Sequence, residues 1–285
     1  YRRIKMITFS KMHGLGNDYI CINCLGSNYR MIKDKIGEVV RYLCNRHFGV
    51  GADGVILVKE SKIADIRMQI YNADGTEAEM CGNGIRCFAK YVQKYQIFNR
   101  DEMLVETKSG IRKVRCGLPF DEIEVDMGKP KLNDSENIKE GKETGGGKIV
   151  KLKIQEKEMI GYGISMGNPH IIFFVDNVEK VDVKKYGSLI ENLEIFPNHI
   201  NVEFVQILGR KTIKLRVWER GVGETYACGT GACAAVVAGY LNNFCDAEVT
   251  VLLKGGELKI SCEEKSKHVK MKGIANYVFE GKIEV

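Results

Sequence analysis

Two short segments of this 285-residue chain carry the same chemical groups at the same spacing. Gly75–Gly84 reads GTEAEMCGNG, and Val222–Gly231 reads VGETYACGTG. In each, a Glu (Glu77 or Glu224) stands four residues before a Cys (Cys81 or Cys228). Each Cys is followed by Gly-X-Gly and then by an apolar, helix-compatible run. Self-similarity of this kind points to a duplicated unit that presents equivalent cysteines.

A Cys placed before Gly-X-Gly at the start of a helix sits at or near the N-cap, where small residues leave backbone N–H groups uncovered. Those groups attract anions, with two chemical consequences. A partly buried helix N-terminus contributes up to about 2 kcal/mol to an anion, enough to bring a thiol from about 8.5 to about 7. The thiol is then expected to work as a base at neutral pH. The same N–H groups can also hold a carboxylate and stabilise the charge that develops when the proton beside it is removed. Two such bases on opposite faces of one carbon permit inversion, one thiolate taking a proton and the other thiol delivering one.

The elements that must position these groups are mostly strands. Alternation and β-branched runs predict them at 7–11, 20–23, 55–59, 66–71, 103–107, 123–127, 149–154, 171–175, 202–208, 213–218 and 249–253. Short strands near 257–261, 269–272 and 277–279 close the chain. Four helices are predicted: 36–47, with Gly49 as its stop, 181–193, and two that open at Cys81 and Cys228. The polar stretch 133–148 reads as a flexible loop or hairpin tip. A domain boundary is expected beside it, around 126–130.

Composition excludes some function classes. Apolar residues make up 44% and charged residues 28%, ordinary for a globular chain with a normal core. The net charge of +6 is spread out. The run 148–157 alternates Lys with apolar residues, which suits the solvated face of a strand better than a nucleic-acid stripe. No apolar run approaches the ~18 residues that span a bilayer, and no apolar signal segment follows the basic Tyr1–Lys5. A cytoplasmic location is therefore expected, with Tyr1 reflecting trimming. The ten cysteines are then expected to be reduced, and most to pack as small apolar residues. Cys21 and Cys24 form C-x-x-C without a matching second pair, so no metal is expected there. A thiol-redox or zinc-binding protein remains the alternative of another class. Asp74 and Glu77 are expected to shape the turn into the Cys81 helix, and His47 to close a helix.

At this point the motifs resemble those of the diaminopimelate epimerase family. Phe9–Tyr19 (FSKMHGLGNDY), Asn72–Gly75 with Cys81–Gly84, Ser165–His170 (SMGNPH), Asn201, Glu219–Gly221 and Ala227–Ala232 (ACGTGA) occur in the family's order. The resemblance covers the chain from about Thr8 to Val285. It implies an α/β (α+β) fold of two pseudo-symmetric domains, each a mostly antiparallel, barrel-like sheet around a central helix. Domain bounds of 1–126 plus 274–285, and 127–273, are expected, the last strand returning to the first domain. It further implies cofactor-independent conversion of LL-diaminopimelate to the meso form, for lysine and peptidoglycan precursors, by a homodimer without membrane or nucleic-acid partners.

Carried over by position, Cys81 and Cys228 are the acid/base pair. Gly82, Asn83, Gly229 and Thr230 supply N–H groups to the reacting carboxylate. Asn17, Asn72, Asn168, Asn201, Glu219 and Arg220 hold the rest of the substrate, and His170 and Glu219 orient or activate the thiols. A distal amino-acid centre does call for an Arg fork for its carboxylate and for acceptors around its ammonium. Some members carry Gln at the position of Gly54, which leaves one contact unassigned. A racemase of proline, hydroxyproline or histidine on the same fold is the nearest alternative.

Overall fold

The computed structural model describes residues 6–26, 32–134 and 136–285. The Tyr1–Lys5 expectation lies outside the described residues. The chain divides into two compact units, Tyr1–Val125 with Gly273–Val285, and Asp126–Lys272.

In chain order the strands begin with β1 (Met6–Gly14), β2 (Asn17–Asn23), β3 (Gly54–Lys59), β4 (Ile66–Asn72) and the short β5 (Glu77–Ala78). Then come β6 (Glu102–Thr107), β7 (Gly110–Arg115), β8 (Ile123–Gly128), β9 (Lys142–Thr144), β10 (Gly147–Ile154) and β11 (Lys157–Ser165). β12 (Pro169–Phe174), β13 (Asn201–Gly209), β14 (Thr212–Glu219) and β15 (Gly223–Glu224) follow. The last are β16 (Glu248–Leu253), β17 (Gly256–Cys262), β18 (Val269–Gly273) and β19 (Asn276–Glu284). The helices are α1 (Ile36–Cys44), α2 (Gly82–Lys94), α3 (Val183–Glu191) and α4 (Gly229–Leu241). The fold is sheet-dominated α/β, with most strand pairs antiparallel.

One series of pairings occurs in both units. In the first, β1–β2 is antiparallel, β2–β3 parallel, β3–β4 antiparallel, β4–β6 parallel, and β6–β7–β8 antiparallel. In the second, β11–β12, β12–β13, β13–β14, β14–β16 and β16–β17–β18 repeat that order. Each parallel pair needs a crossover. α1 and α3 supply the first crossover of each unit, and α2 and α4 the second. β19 pairs with β1, and β10 with β11.

The second-crossover helices lie inside their units. α4 is buried at every position from Gly229 to Gly239 and packs on β11, β12, β13 and β17. Its sequence, GTGACAAVVAGYL, is apolar or small all round, as a helix enclosed on every side must be. α2 packs on β1 to β4 and β19 and is buried from Gly82 to Ala89. That run includes Arg86, which is fully buried. Its guanidinium donates to the carbonyls of Gly82 (3.1 Å) and Ile274 (3.3 Å) and to Asn83 Oδ1 (2.8 Å), so the buried charge is hydrogen-bonded.

Three local expectations are corrected. α1 ends at Cys44 rather than His47, because Asn45 Oδ1 accepts the N–H groups of His47 (2.9 Å) and Phe48 (2.8 Å) and turns the chain. The stretch 133–148 is a hairpin rather than a flexible loop: β9 pairs antiparallel with the start of β10, and Ile138 is buried. Ser135 lies outside the described residues. Lys148 is buried too, its Nζ donating to the Ile138 carbonyl at 2.5 Å, so the solvated-face reading holds only for Lys151, Lys153 and Lys157.

Candidate active site

In the first unit, Cys81 is the N-cap of α2, with extended backbone (φ −131°, ψ 125°). Its half-buried Sγ lies 2.9 Å from the Tyr19 hydroxyl. Gly82 and Asn83 open the helix, both buried. The β1–β2 hairpin turns through Leu15 (φ 56°) and Gly16 (φ 87°), a two-residue turn with both φ positive. The backbone of Gly14 passes so close to α2 that a Cβ there would lie 3.1 Å from the Asn83 carbonyl oxygen. The hairpin places Asn17 beside this helix end, its Oδ1 buried without a hydrogen-bond partner. Asn72 ends β4 exposed, its amide donating to Thr76 Oγ1 at 3.1 Å.

In the second unit, Cys228 is the N-cap of α4, also extended (φ −120°, ψ 113°) and only 5% exposed. Its Sγ accepts from the Gly231 N–H at 3.4 Å and lies 3.4 Å from Thr230 Oγ1. A chain of contacts leads away from it. Thr230 Oγ1 accepts from Asn168 Nδ2 (3.2 Å), Asn168 Oδ1 meets His170 Nε2 (3.1 Å), and His170 Nδ1 meets Glu203 Oε1 (2.7 Å). His170 and Glu203 are fully buried. Glu219 accepts from Thr225 Oγ1 (2.5 Å), and its carboxyl lies near enough to Cys228 to act on that thiol electrostatically. Asn201 donates to the Pro169 carbonyl (2.8 Å) and accepts from the Arg220 N–H (3.0 Å), which fixes the turn that carries Arg220. The Arg220 side chain is exposed and donates to the Asn198 carbonyl at 3.0 Å.

The thiol chemistry of Cys228 differs from the expectation. Burial pushes this thiol up, and the nearby Glu219 and Glu203 carboxyls push it further. The hydrogen bonds from Thr230 and Gly231 work the other way and do not overcome them. The helix N-terminus is present, but desolvation of the anion outweighs it. Cys228 therefore rests as a thiol. Burial likewise holds the Glu219 and Glu203 carboxyls above the ordinary carboxylate range, partly offset by Thr225 at Glu219 and by His170 at Glu203.

Two residues of these sites escaped the sequence reading. Glu203 carried a signal: it is the one charge in the start of β13, NVEFV, where all five residues are buried. A carboxylate in such a run needs a partner. Tyr19 closes the Phe9–Tyr19 motif, but nothing in its residue type assigned it to the thiol. Gly231 is small for a reason: a Cβ there would lie 2.6 Å from Glu203 Oε1. Gly231→Ala is expected to displace the Glu203–His170 pair and to lower stability by about 1–3 kcal/mol, measured as a reduced urea midpoint.

Comparison with known proteins gives a consistent picture. The family model for diaminopimelate epimerase matches residues 9–133 and 162–278. The diaminopimelate epimerase of Acetivibrio thermocellus is 43% identical over 280 residues, 97% of this chain and 98% of that protein. That of Halothermothrix orenii is 46% identical over 287 residues, 98% of each. Among solved structures, a hydroxyproline epimerase from Agrobacterium vitis superposes with a TM-score of 0.72 at 11% identity, covering 100% of this chain and 94% of that one. A PhzF-family phenazine biosynthesis protein of Bacillus anthracis gives 0.68 at 18% identity, covering 99% and 100%. At those identities the two structures speak for the fold alone.

Proposed function

The chain belongs to the diaminopimelate epimerase family, and on that premise we propose that it inverts one α-carbon of LL-diaminopimelate to give the meso form, using Cys81 and Cys228 and no cofactor. The observation that carries this reading is the pair of N-cap cysteines. They stand at the same step of the same strand-pairing series, each opening an enclosed helix.

One thiolate breaks the Cα–H bond and becomes a thiol. The electron pair left on carbon delocalises into the adjacent carboxylate, where N–H groups of Gly82, Asn83, Gly229 and Thr230 stabilise it. The second thiol then protonates the carbon from the other face and becomes a thiolate, so the two sulfurs exchange protonation states in each turnover. Because Cys228 rests as a thiol, it enters the cycle as the acid. The Glu219 carboxyl lies near that thiol, and His170, through Asn168 and Thr230, holds its surroundings in place. Asn17, Asn72, Asn168, Asn201, Glu219 and Arg220 bind the rest of the substrate. In this reading each domain of a duplicated chain, 1–126 with 274–285 and 127–273, supplies one cysteine. The protein works as a cytoplasmic homodimer in the supply of lysine and peptidoglycan precursors.

The test is NMR of the α-protons of LL-diaminopimelate in deuterated water with no cofactor added. Deuterium incorporation together with appearance of the meso isomer supports the reading. Exchange on proline, hydroxyproline or histidine, with none on diaminopimelate, replaces it with a racemase of those amino acids. Light scattering in solution tests the dimer.

A further inference from the structure

The two cysteines have unlike surroundings. Cys228 is flanked by carboxyls, whereas Cys81 has a phenol at 2.9 Å. Tyr19 is 4% exposed and lies in a cross-strand row: Met12 on β1 pairs with Tyr19 on β2, Tyr19 with Gly54 on β3, and Gly54 with Asn72 on β4. Gly54 makes room for this arrangement. A Cβ there would lie 3.3 Å from Tyr19 Cε1 and would collide with the Tyr71 carbonyl oxygen. Position 54 is here bare beside the ring whose hydroxyl reaches the sulfur.

We propose that Tyr19 is a further catalytic residue, its O–H donating a hydrogen bond to the Cys81 thiolate and holding that sulfur ready to accept a proton. The proposal rests on the reading of Cys81 as a proton-transfer group. A phenol is a weaker acid than a thiol, so when one proton is shared between them the phenol keeps it and the sulfur carries the charge. Asp18, next to Tyr19, is paired with Lys11 and Arg46. Cys87, further along α2, senses Cys81, but burial pushes it up to about 12, so it stays a thiol.

The test reads Cys81 directly and needs no substrate. The tryptic peptide Met68–Arg86 contains Cys81 as its single cysteine, and Cys87–Lys90 contains Cys87. Folded wild type and Tyr19→Phe are alkylated with iodoacetamide at pH 6 and pH 9.5, and both peptides are quantified by mass spectrometry. Loss of a hydrogen bond to a charged sulfur makes ionisation about tenfold harder. The freed thiolate is in turn about threefold more nucleophilic. Tyr19→Phe is therefore expected to slow Cys81 alkylation about threefold at pH 6 and to speed it about threefold at pH 9.5, with Cys87 unreactive throughout.

Rates unchanged at both pH values, or shifted the same way at both, overturn the proposal. If Cys87 becomes reactive, the Phe variant has loosened the unit. Site-specific 3-fluorotyrosine at position 19 then decides. Its ring is nearly the same size and its hydroxyl a stronger donor, so the pH 6 rate should rise, and no change overturns the proposal. A crossover of rates in a protein that fails to epimerise diaminopimelate would remove the proposed substrate and leave the Tyr19–Cys81 assignment standing. Normal epimerisation without the crossover would do the reverse.

Discussion

Serine in place of Cys228 lowers the conversion of LL-diaminopimelate by about 10³-fold or more, and serine in place of Cys81 does the same. A serine hydroxyl is too weak an acid to share a proton with carbon at neutral pH. The changes are small in volume. The Cys228 sulfur makes two polar contacts, with the Gly231 N–H and Thr230 Oγ1, that a hydroxyl can also make, so both variants should fold. Wild type and variants are compared by following α-deuteration and the meso isomer together. Each variant is expected to lose inversion even where the remaining cysteine still exchanges a proton on its own face. A variant that keeps about a tenth or more of wild-type inversion removes that cysteine from the reaction.

Truncation at Glu203 should have the largest effect on stability. Glu203 and His170 are fully enclosed and joined at 2.7 Å. Glu203→Ala leaves the imidazole without its partner and opens a cavity, so a loss of about 3–5 kcal/mol is expected in urea unfolding. Glu203→Gln keeps an acceptor for the Nδ1–H and should lose far less.

The pH dependence separates a buried carboxyl from a merely well-packed one. Burial raises the Glu203 carboxyl in the folded protein above its ordinary 4.5. Between 4.5 and the raised value, the native state holds a proton that the unfolded chain has released. Stability therefore falls as pH rises through that window. Gln does not titrate, so the melting temperature of Glu203→Gln relative to wild type should climb as pH rises from 4.5. Glu219 is raised mainly by its own burial, with Glu203 a smaller cause, so most of its contribution is common to both proteins. A difference that stays flat with pH would mean that Glu203 is ionised at no unusual cost and that the assignment of its environment is wrong.

Much of the architecture was legible in the chain because its causes are local. The alternation along 123–127 and 213–218 dictated β8 and β14. Cys-Gly-X-Gly ahead of an apolar run dictated where α2 and α4 begin, and the repeat of that motif pointed to two cysteines in equivalent positions. Strands without such a pattern were missed. β7 (GIRKVR) is charged and mostly exposed, and its backbone is ordered by pairing with β6 and β8. β11 (KEMIGYGIS) is likewise held between β10 and β12.

The electrostatics of the site could not be read from the chain at all. A Cys at a helix start is favoured as an anion wherever water reaches it. Whether Cys228 is in that situation depends on Glu203, 25 positions upstream, and on Glu219, both brought to it by strands β13 and β14. The phenol at Cys81 depends in the same way on a strand 62 positions away and on a bare Gly54 beside it. Residue type and spacing determined which atoms could move a proton. Only the tertiary structure decided which of them rests protonated, because burial and neighbouring charge are properties of the assembled strands and not of the local sequence.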